Sequence, residues 1–378
     1  MKKICLLLVF CLVLSACSAF AEGTAETAAL VEQAWVAMEA EDYETAVPLL
    51  QKAADLGDAT AQRRLGACYG AGLGIQRDEK EAVKYFQLAA DQGDIPAKYN
   101  LAFCYLEGIG VAQDTGKAEE LLLSCADQGD AESQYALGYC YFDGDYLKQD
   151  YEKASRYLQL AADQGVTPAQ YKLGEMYQLG DGVEQDYDKA FHYYKLAADQ
   201  DAPEALTAVG YFYGQGLGTE QNLDEMLKYY NRAAEMGEPM AQFNLGCCYR
   251  DGTGVKQDYG KMHEYYRLAV EKGNADAQFN LGYAYQVGLG VEPDYSEAYR
   301  LYQLAADQGF PIAMFAVGDC YYLGNGVEKD LQQAAEWYRK SLDAGYVPDE
   351  TDQAHLKEVL GTEAWRPDSR EPDGGRLR

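Results

Sequence analysis

Residues 278–285 read QFNLGYAY, and the glycine of that stretch decides the reading of the chain because it keeps returning. Gly66, Gly138, Gly174, Gly210, Gly246, Gly282 and Gly318 are spaced by 36 residues or twice that, with Ala102 in the one gap. Three residues after each stands a tyrosine: Tyr69, Tyr105, Tyr141, Tyr177, Tyr213, Tyr249, Tyr285 and Tyr321. Units of one length, repeated without insertion, mark an array in which each unit buries its open flank on the next.

Each unit holds two helical patterns. In the first, Ala277, Leu281, Gly282 and Tyr285 fall on one face of a 3.6-residue helix. Pro96, Pro168, Pro203, Pro239 and Pro311 stand near its start, where a missing N–H costs nothing. A G-x-G turn such as Gly288-Leu289-Gly290 supplies left-handed positions that stop it. The second pattern, Tyr187 to Ala198 in one unit, carries small residues and aromatics and closes at Asp-Gln-Gly, as in Asp91-Gln92-Gly93. A mid-helix glycine costs about 1 kcal/mol against alanine, so its recurrence implies close approach of the paired helix at Ala82, Ala154, Ala190 and Ala298. The expected fold is all-α, a right-handed α-solenoid of stacked antiparallel helix pairs. One turn departs from the rule: Gly144-Asp145-Tyr146-Leu147 puts a bulky residue where glycine is needed, and a rebuilt turn is expected there.

These residues closely resemble the Sel-one-like repeat family, relatives of the tetratricopeptide repeats, with the pattern A-x-x-x-L-G-x-x-Y, then G-x-G-V, then A-x-x-Y/W-Y/F-x-x-A-A-x-x-G. The resemblance divides residues 59–346 into eight repeats: 59–94, 95–130, 131–166, 167–202, 203–238, 239–274, 275–310 and 311–346. A degenerate pair precedes them at 22–58, with Trp35 in its first helix and Pro48 expected to distort its second. A capping helix is expected within 347–360 and a loose tail at 361–378.

The formal charge of −29 disfavours nucleic acid and anionic lipid as partners. At the N-terminus, Lys2-Lys3 precede an apolar run from Ile4 to Leu14, too short to span a bilayer, which reads as an export signal over 1–21. Ala19-Phe20-Ala21 offers an ordinary cleavage site. Leu14-Ser15-Ala16-Cys17 resembles a bacterial lipobox, which would leave Cys17 lipidated, and both alternatives stand. The expected location is outside the bacterial cytoplasm: secreted, periplasmic or lipid-anchored at the envelope.

Chemistry is sparse. His192, His263 and His355 are scattered, and His263-Glu264-Tyr265-Tyr266-Arg267 has Arg where a zinc-protease helix needs its second histidine. The G-x-G turns lack the G-K-S/T or the preceding strand of a phosphate cradle. No cofactor or metal is expected. Exported cysteine-rich relatives described as penicillin-binding or β-lactamase-like supply the enzyme alternative, acting on cell-wall material or a β-lactam. Their cysteine slots here hold Ala90, Ala162, Ala198 and Ala306, and Gln62, Gln134, Gln170 and Gln242, and neither S-x-x-K nor G-x-S-x-G occurs. A self-associating envelope structural protein is a third reading.

The leading expectation is a non-catalytic scaffold that binds a protein or peptide. Likeness to tetratricopeptide arrays implies that first helices line the concave side. Slots two before and one after the glycine lie opposite the packing stripe and vary along the array: Asn100, Phe103, Tyr139, Lys172, Glu175, Tyr211, Asn244, Cys247, Asn280 and Tyr283 are the candidate groove residues. Of the Cys247-Cys248 pair, Cys248 shares its slot with Cys68, Cys104, Cys140 and Cys320 but also Met176, Phe212 and Ala284, a packing slot. Stacked equivalents lie on the order of 10 Å apart, beyond disulfide reach, so these thiols are expected free and only Cys247 open to rapid labelling.

Overall fold

The structure is a computed structural model that describes residues 25–361. The stretch 1–21 expected to be an export signal, with Cys17, and residues 362–378 of the expected tail lie outside the described residues. Contacts divide the chain into two compact halves, one ending at Asp186 and the other starting at Tyr187. The first half holds α1 (Ala25–Glu39), α2 (Tyr43–Asp55), α3 (Ala59–Ala71), α4 (Glu79–Asp91), α5 (Ile95–Glu107), α6 (Thr115–Ala126), α7 (Ala131–Asp143), α8 (Tyr151–Asp163) and α9 (Thr167–Leu179). The second holds α10 (Tyr187–Ala198), α11 (Pro203–Gln215), α12 (Leu223–Glu235), α13 (Pro239–Asp251), α14 (Tyr259–Glu271), α15 (Ala275–Val287), α16 (Tyr295–Asp307), α17 (Pro311–Leu323), α18 (Leu331–Asp343) and α19 (Glu350–Leu360). No strand occurs among the described residues, and the architecture is the all-α solenoid of helix pairs that the period predicts.

Within each half a second helix packs on the first helix of its own repeat and on that of the next, as α4 does on α3 and α5, and α14 on α13 and α15. Leu65, Leu101, Leu137, Leu245 and Leu281, each one residue before its glycine or Ala102, are fully buried at these seams. Each such leucine contributes about 1.5–3 kcal/mol. The mid-helix glycine makes room for a side chain of the paired helix, and at most repeats this is an aromatic ring. A Cβ on Gly210 would lie 2.6 Å from Tyr230 Cδ1, and one on Gly318 2.6 Å from Tyr338 Cδ1. Its alanine partner contributes mainly a carbonyl, with Ala82 O 3.1 Å from a Cβ placed on Gly66.

Aspartate side chains set helix starts in most repeats. Asp58, Asp94 and Asp130 accept the backbone N–H of Ala61, Ala97 and Ser133, while Asp78, Asp114, Asp150, Asp258, Asp294 and Asp330 do the same for second helices. α9, α11 and α17 lack a capping side chain and carry proline in the first turn instead. At the other end, Gly72 is left-handed and the amides of Gly72 and Leu73 both bond Cys68 O, at 2.8 and 3.0 Å. The second glycine of the turn lies against the start of the preceding second helix, so that a Cβ on Gly326 would meet Ser296 N at 2.9 Å.

The deviant third turn is rebuilt. Gly144 stays left-handed and bonds Cys140 O at 3.1 Å, but the following amide makes no matching bond and Tyr146 keeps an ordinary φ. Its hydroxyl donates to Glu107 instead, and Leu147 is buried. Pro48 does not end its helix: α2 runs on from Tyr43 to Asp55 with the proline exposed on its surface.

Buried glutamines tie neighbouring repeats. Gln62 donates to Ala54 O at 3.2 Å and accepts from Gln92 Nε2 at 2.7 Å. Gln134 does likewise with Ala126 O at 3.1 Å and Gln164 at 2.7 Å, and Gln278 accepts from Gln308 at 2.7 Å. One amide thus satisfies a terminal carbonyl of the previous repeat's second helix and clasps its own.

Candidate functional site

The described residues place the ten candidates on first helices, and each half is taken by itself. In the first half Asn100 and Phe103 on α5, Tyr139 on α7, and Lys172 and Glu175 on α9 are all half-buried. Lys172 pairs with Glu175, one turn along the same helix, and its Nζ lies 4.7 Å from the Phe142 ring centroid. The ring of Tyr139 is 6.1 Å from that of Tyr135, and burial with Asp143 nearby raises its hydroxyl pKa.

In the second half Tyr211 on α11 and Tyr283 on α15 are the open members, 43% and 51% exposed. Asn244 and Cys247 on α13 and Asn280 on α15 are half-buried. Asn280 accepts from Arg250 Nη1 at 3.0 Å and donates to Asp276 O at 2.8 Å, so its amide is already engaged. The Arg250 bond joins the first helices of successive repeats, and α11 likewise touches α13. First helices therefore approach one another at these two places, and Asn280 is the candidate that takes part. Arg250 itself is held by Asp251 at 2.8 and 2.9 Å.

Cys247 Sγ lies 3.4 Å from Tyr266 OH, and burial raises its pKa. The other six described cysteines are buried, and all seven are free thiols. The slot argument missed Met240, Val287 and Leu323, which are exposed on the first helices α13, α15 and α17. For Val287 and Leu323 the slot five after the glycine was the available signal, since it too varies, from Glu107 and Asp143 through Leu179 to Val287, whereas Met240 stands six before its glycine.

The histidines go separate ways. His192 is exposed. His263 is 5% exposed, with Nε2 2.8 Å from Leu289 O in the next repeat's turn. His355 on α19 meets Asp319 Oδ1 at 2.9 Å, and Tyr338 OH donates to the same oxygen at 2.7 Å. No three His, Cys, Asp or Glu side chains among the described residues gather as metal ligands. An open depression beside the first two turns is lined by Arg77, Glu79 and Lys80, and its Arg77 already pairs with Glu79 at 2.5 Å.

In each half the candidates thus sit on polar and aromatic helix faces of a repeated frame, and the frame is what the comparisons recognise. A family model described as Sel1 repeat matches residues 38–58, 59–94, 95–130, 131–166, 167–201, 203–238, 239–274, 275–310 and 311–346. The chain belongs to the Sel1 repeat family. Among solved structures, this Sel1 repeat protein is similar to c5321 of uropathogenic Escherichia coli, described as a protective antigen with an SLR fold. The two are 33% identical with a TM-score of 0.74 over 89% of this chain and 73% of that one. It is also similar to a Sel1 repeat protein from Oxalobacter formigenes, at 28% identity and a TM-score of 0.66, covering 88% of this chain and 93% of that one. No curated protein matches. Sel1 repeats are interaction scaffolds that typically bind proteins, and generally non-catalytic ones.

Proposed function

We propose that this Sel1 repeat protein is a non-catalytic scaffold exported to the bacterial envelope, where its first-helix face binds an extended segment of another protein. The observation that carries this reading is the exposure of Tyr211 and Tyr283 at slots that vary while the frame repeats. Rigid rings give contact area at small entropic cost, and Tyr211 and Tyr283 stand further out than most aromatics of the frame, with Tyr187 and Tyr295 at second-helix starts comparably exposed. The polar members Lys172 and Asn280 already have partners inside the chain, so they orient the face more than they offer free hydrogen bonds.

Export rests on Lys2-Lys3 and the apolar run that follows. Likeness to a protein described as a protective antigen is in keeping with it. Replacement of Phe103, Tyr139, Tyr211 and Tyr283 by alanine is the test. With helical circular dichroism unchanged, the variant should lose the protein that in-cell crosslinking captures on the native chain; unaltered capture would overturn the reading.

A further inference from the structure

Arg64 occupies the inner slot of α3, two residues before Gly66, the slot that Asn100 fills on α5. Its guanidinium carbon lies 4.0 Å over the Trp35 ring of α1, and Nη1 is 3.8 Å from Met38 Sδ, a weak acceptor. Its Nε is buried without a hydrogen-bond partner. No described carboxylate forms an ion pair with it, whereas the adjacent Arg63 is 3.1 Å from Asp94. Burial draws its pKa down to about 10, which still leaves it charged near neutral pH. The chain has 61 acidic residues against 32 lysines and arginines, so a half-buried cation without a counter-ion is out of keeping with its surroundings. Such a charge is costly to hold unless something outside the fold completes it.

We propose that Arg64 and Trp35 form a recognition site for a single carboxylate on the bound segment. This rests on the binding-face reading above and names what one end of that face accepts. The indole fixes the guanidinium plane from one side, and Nη2, which has no hydrogen-bond partner among the described residues, is the donor left for an oxygen. A carboxylate suits the site better than a phosphate, because Asp58 and Asp94 lie close enough to act on Arg64 and repel a dianion twice as strongly. Trp35 lies outside the Sel1 match and Arg64 within it, so the site joins the first matched full repeat to the helix before the match.

The test uses the purified protein and labelled octapeptides of one Ala-Gly-Leu sequence that differ only in their anion. One has a single internal Glu and an amidated end, one only a free C-terminal carboxylate, one phosphoserine in place of Glu, and one no anion. A carboxylate probe should bind on the order of tenfold more tightly than the anion-free one. Whichever does so identifies a side chain or a chain end as the source. Arg64→Met should abolish that difference without lowering the melting temperature, since it removes an unpaired charge at similar length, and Arg64→Gln provides a second fold-preserving variant. No anion-dependent binding by the native protein, a difference that survives both variants, or a phosphoserine probe preferred over the carboxylates would overturn the proposal. Failure of the two readings separates cleanly. If the four-alanine variant loses its captured protein while Arg64→Met keeps native affinity, the binding face stands and the anion site falls; if both keep it, both fall.

Discussion

At the scale of single residues, the glutamine clasp shows what an array does with one polar atom. In the sixth repeat Gln242 still donates to Ala234 O at 3.3 Å, but its Oε1 is buried with no partner. The residue that would supply the donor, Gln in five other repeats, is Lys272. An unsatisfied buried acceptor costs about 1–3 kcal/mol, while Lys272 at a helix C-terminus returns about 0.3–1 kcal/mol through the dipole. Lys272→Gln should therefore raise stability by about 1 kcal/mol, read as a higher denaturant midpoint at constant slope; a lower midpoint would refute the clasp. The clasp was not legible in the sequence, where Gln at these positions registers only as an absence of cysteine. A period shows that a residue recurs, but not which carbonyl its amide reaches. Cys247 illustrates the same limit. Its variable slot foretold access, yet its thiol turns to Tyr266. With the other six described cysteines buried and its own pKa raised, Cys247 should label first but slowly at neutral pH, and faster as pH rises. Mass spectrometry of thiol-reagent adducts over time checks the order.

At the scale of elements, the helices were the most legible part, because proline and paired glycines each act within one turn of their own position. Packing across repeats was less so. His263 occupies a slot that holds Val83, Glu119, Ser155, Phe191, Leu227, Tyr299 and Ala335 elsewhere, and it is buried where Val83, Phe191, Leu227 and Tyr299 are only half-buried. Desolvation lowers its pKa below the ordinary 6.5, against the opposing hydrogen bond to Leu289. A depressed histidine pKa means that below about pH 6.5 the unfolded chain binds a proton the native one refuses, so stability falls as pH falls through that window. His263→Phe should cost about 1 kcal/mol near pH 7.5, where it forfeits the Leu289 bond, but flatten this histidine's contribution, so that the two stability curves converge toward pH 5. Parallel curves from chemical denaturation would dismiss the effect. In α2, Pro48 removes the bond that Glu44 O would receive in an unbroken helix. The same slot holds Lys84, Arg156 and Lys228 in other repeats. Pro48→Lys should stabilise this pair by up to about 3 kcal/mol, seen as slower amide exchange in α1 and α2, and no change would show that the helix had already adapted to the proline.

At the scale of the whole chain, stability in a repeat array is nearly one-dimensional: each repeat leans on its neighbours, and an end must be closed by something polar outside and apolar inside. The described C-terminal end has such a closure in α19. It lies one period beyond α17, since His355 and Glu358 stand 36 residues after the Asp319 and Tyr322 they contact, which makes it the remnant of a further first helix. Leu356 is buried with Phe315 and Tyr338, while Lys357 and Glu358 face outward. A capping helix was foreseeable from its place after the last repeat, but its attachment through Asp319 was not. That residue sits in a slot that elsewhere belongs to the candidate binding face, and nothing in the period distinguishes a slot covered by the chain itself from one left open to a partner. Ending the chain at Pro348 removes Leu356 from its cluster and leaves Asp319, whose pKa burial already raises, without His355. The loss should amount to about 2 kcal/mol, most of it the leucine's burial. It should also be local: amide exchange should quicken in α17 and α18 and stay as in the native protein in α3 to α6. Uniform acceleration along the whole chain would show that the repeats melt as one unit, and the nearest-neighbour account of this array would have to be abandoned.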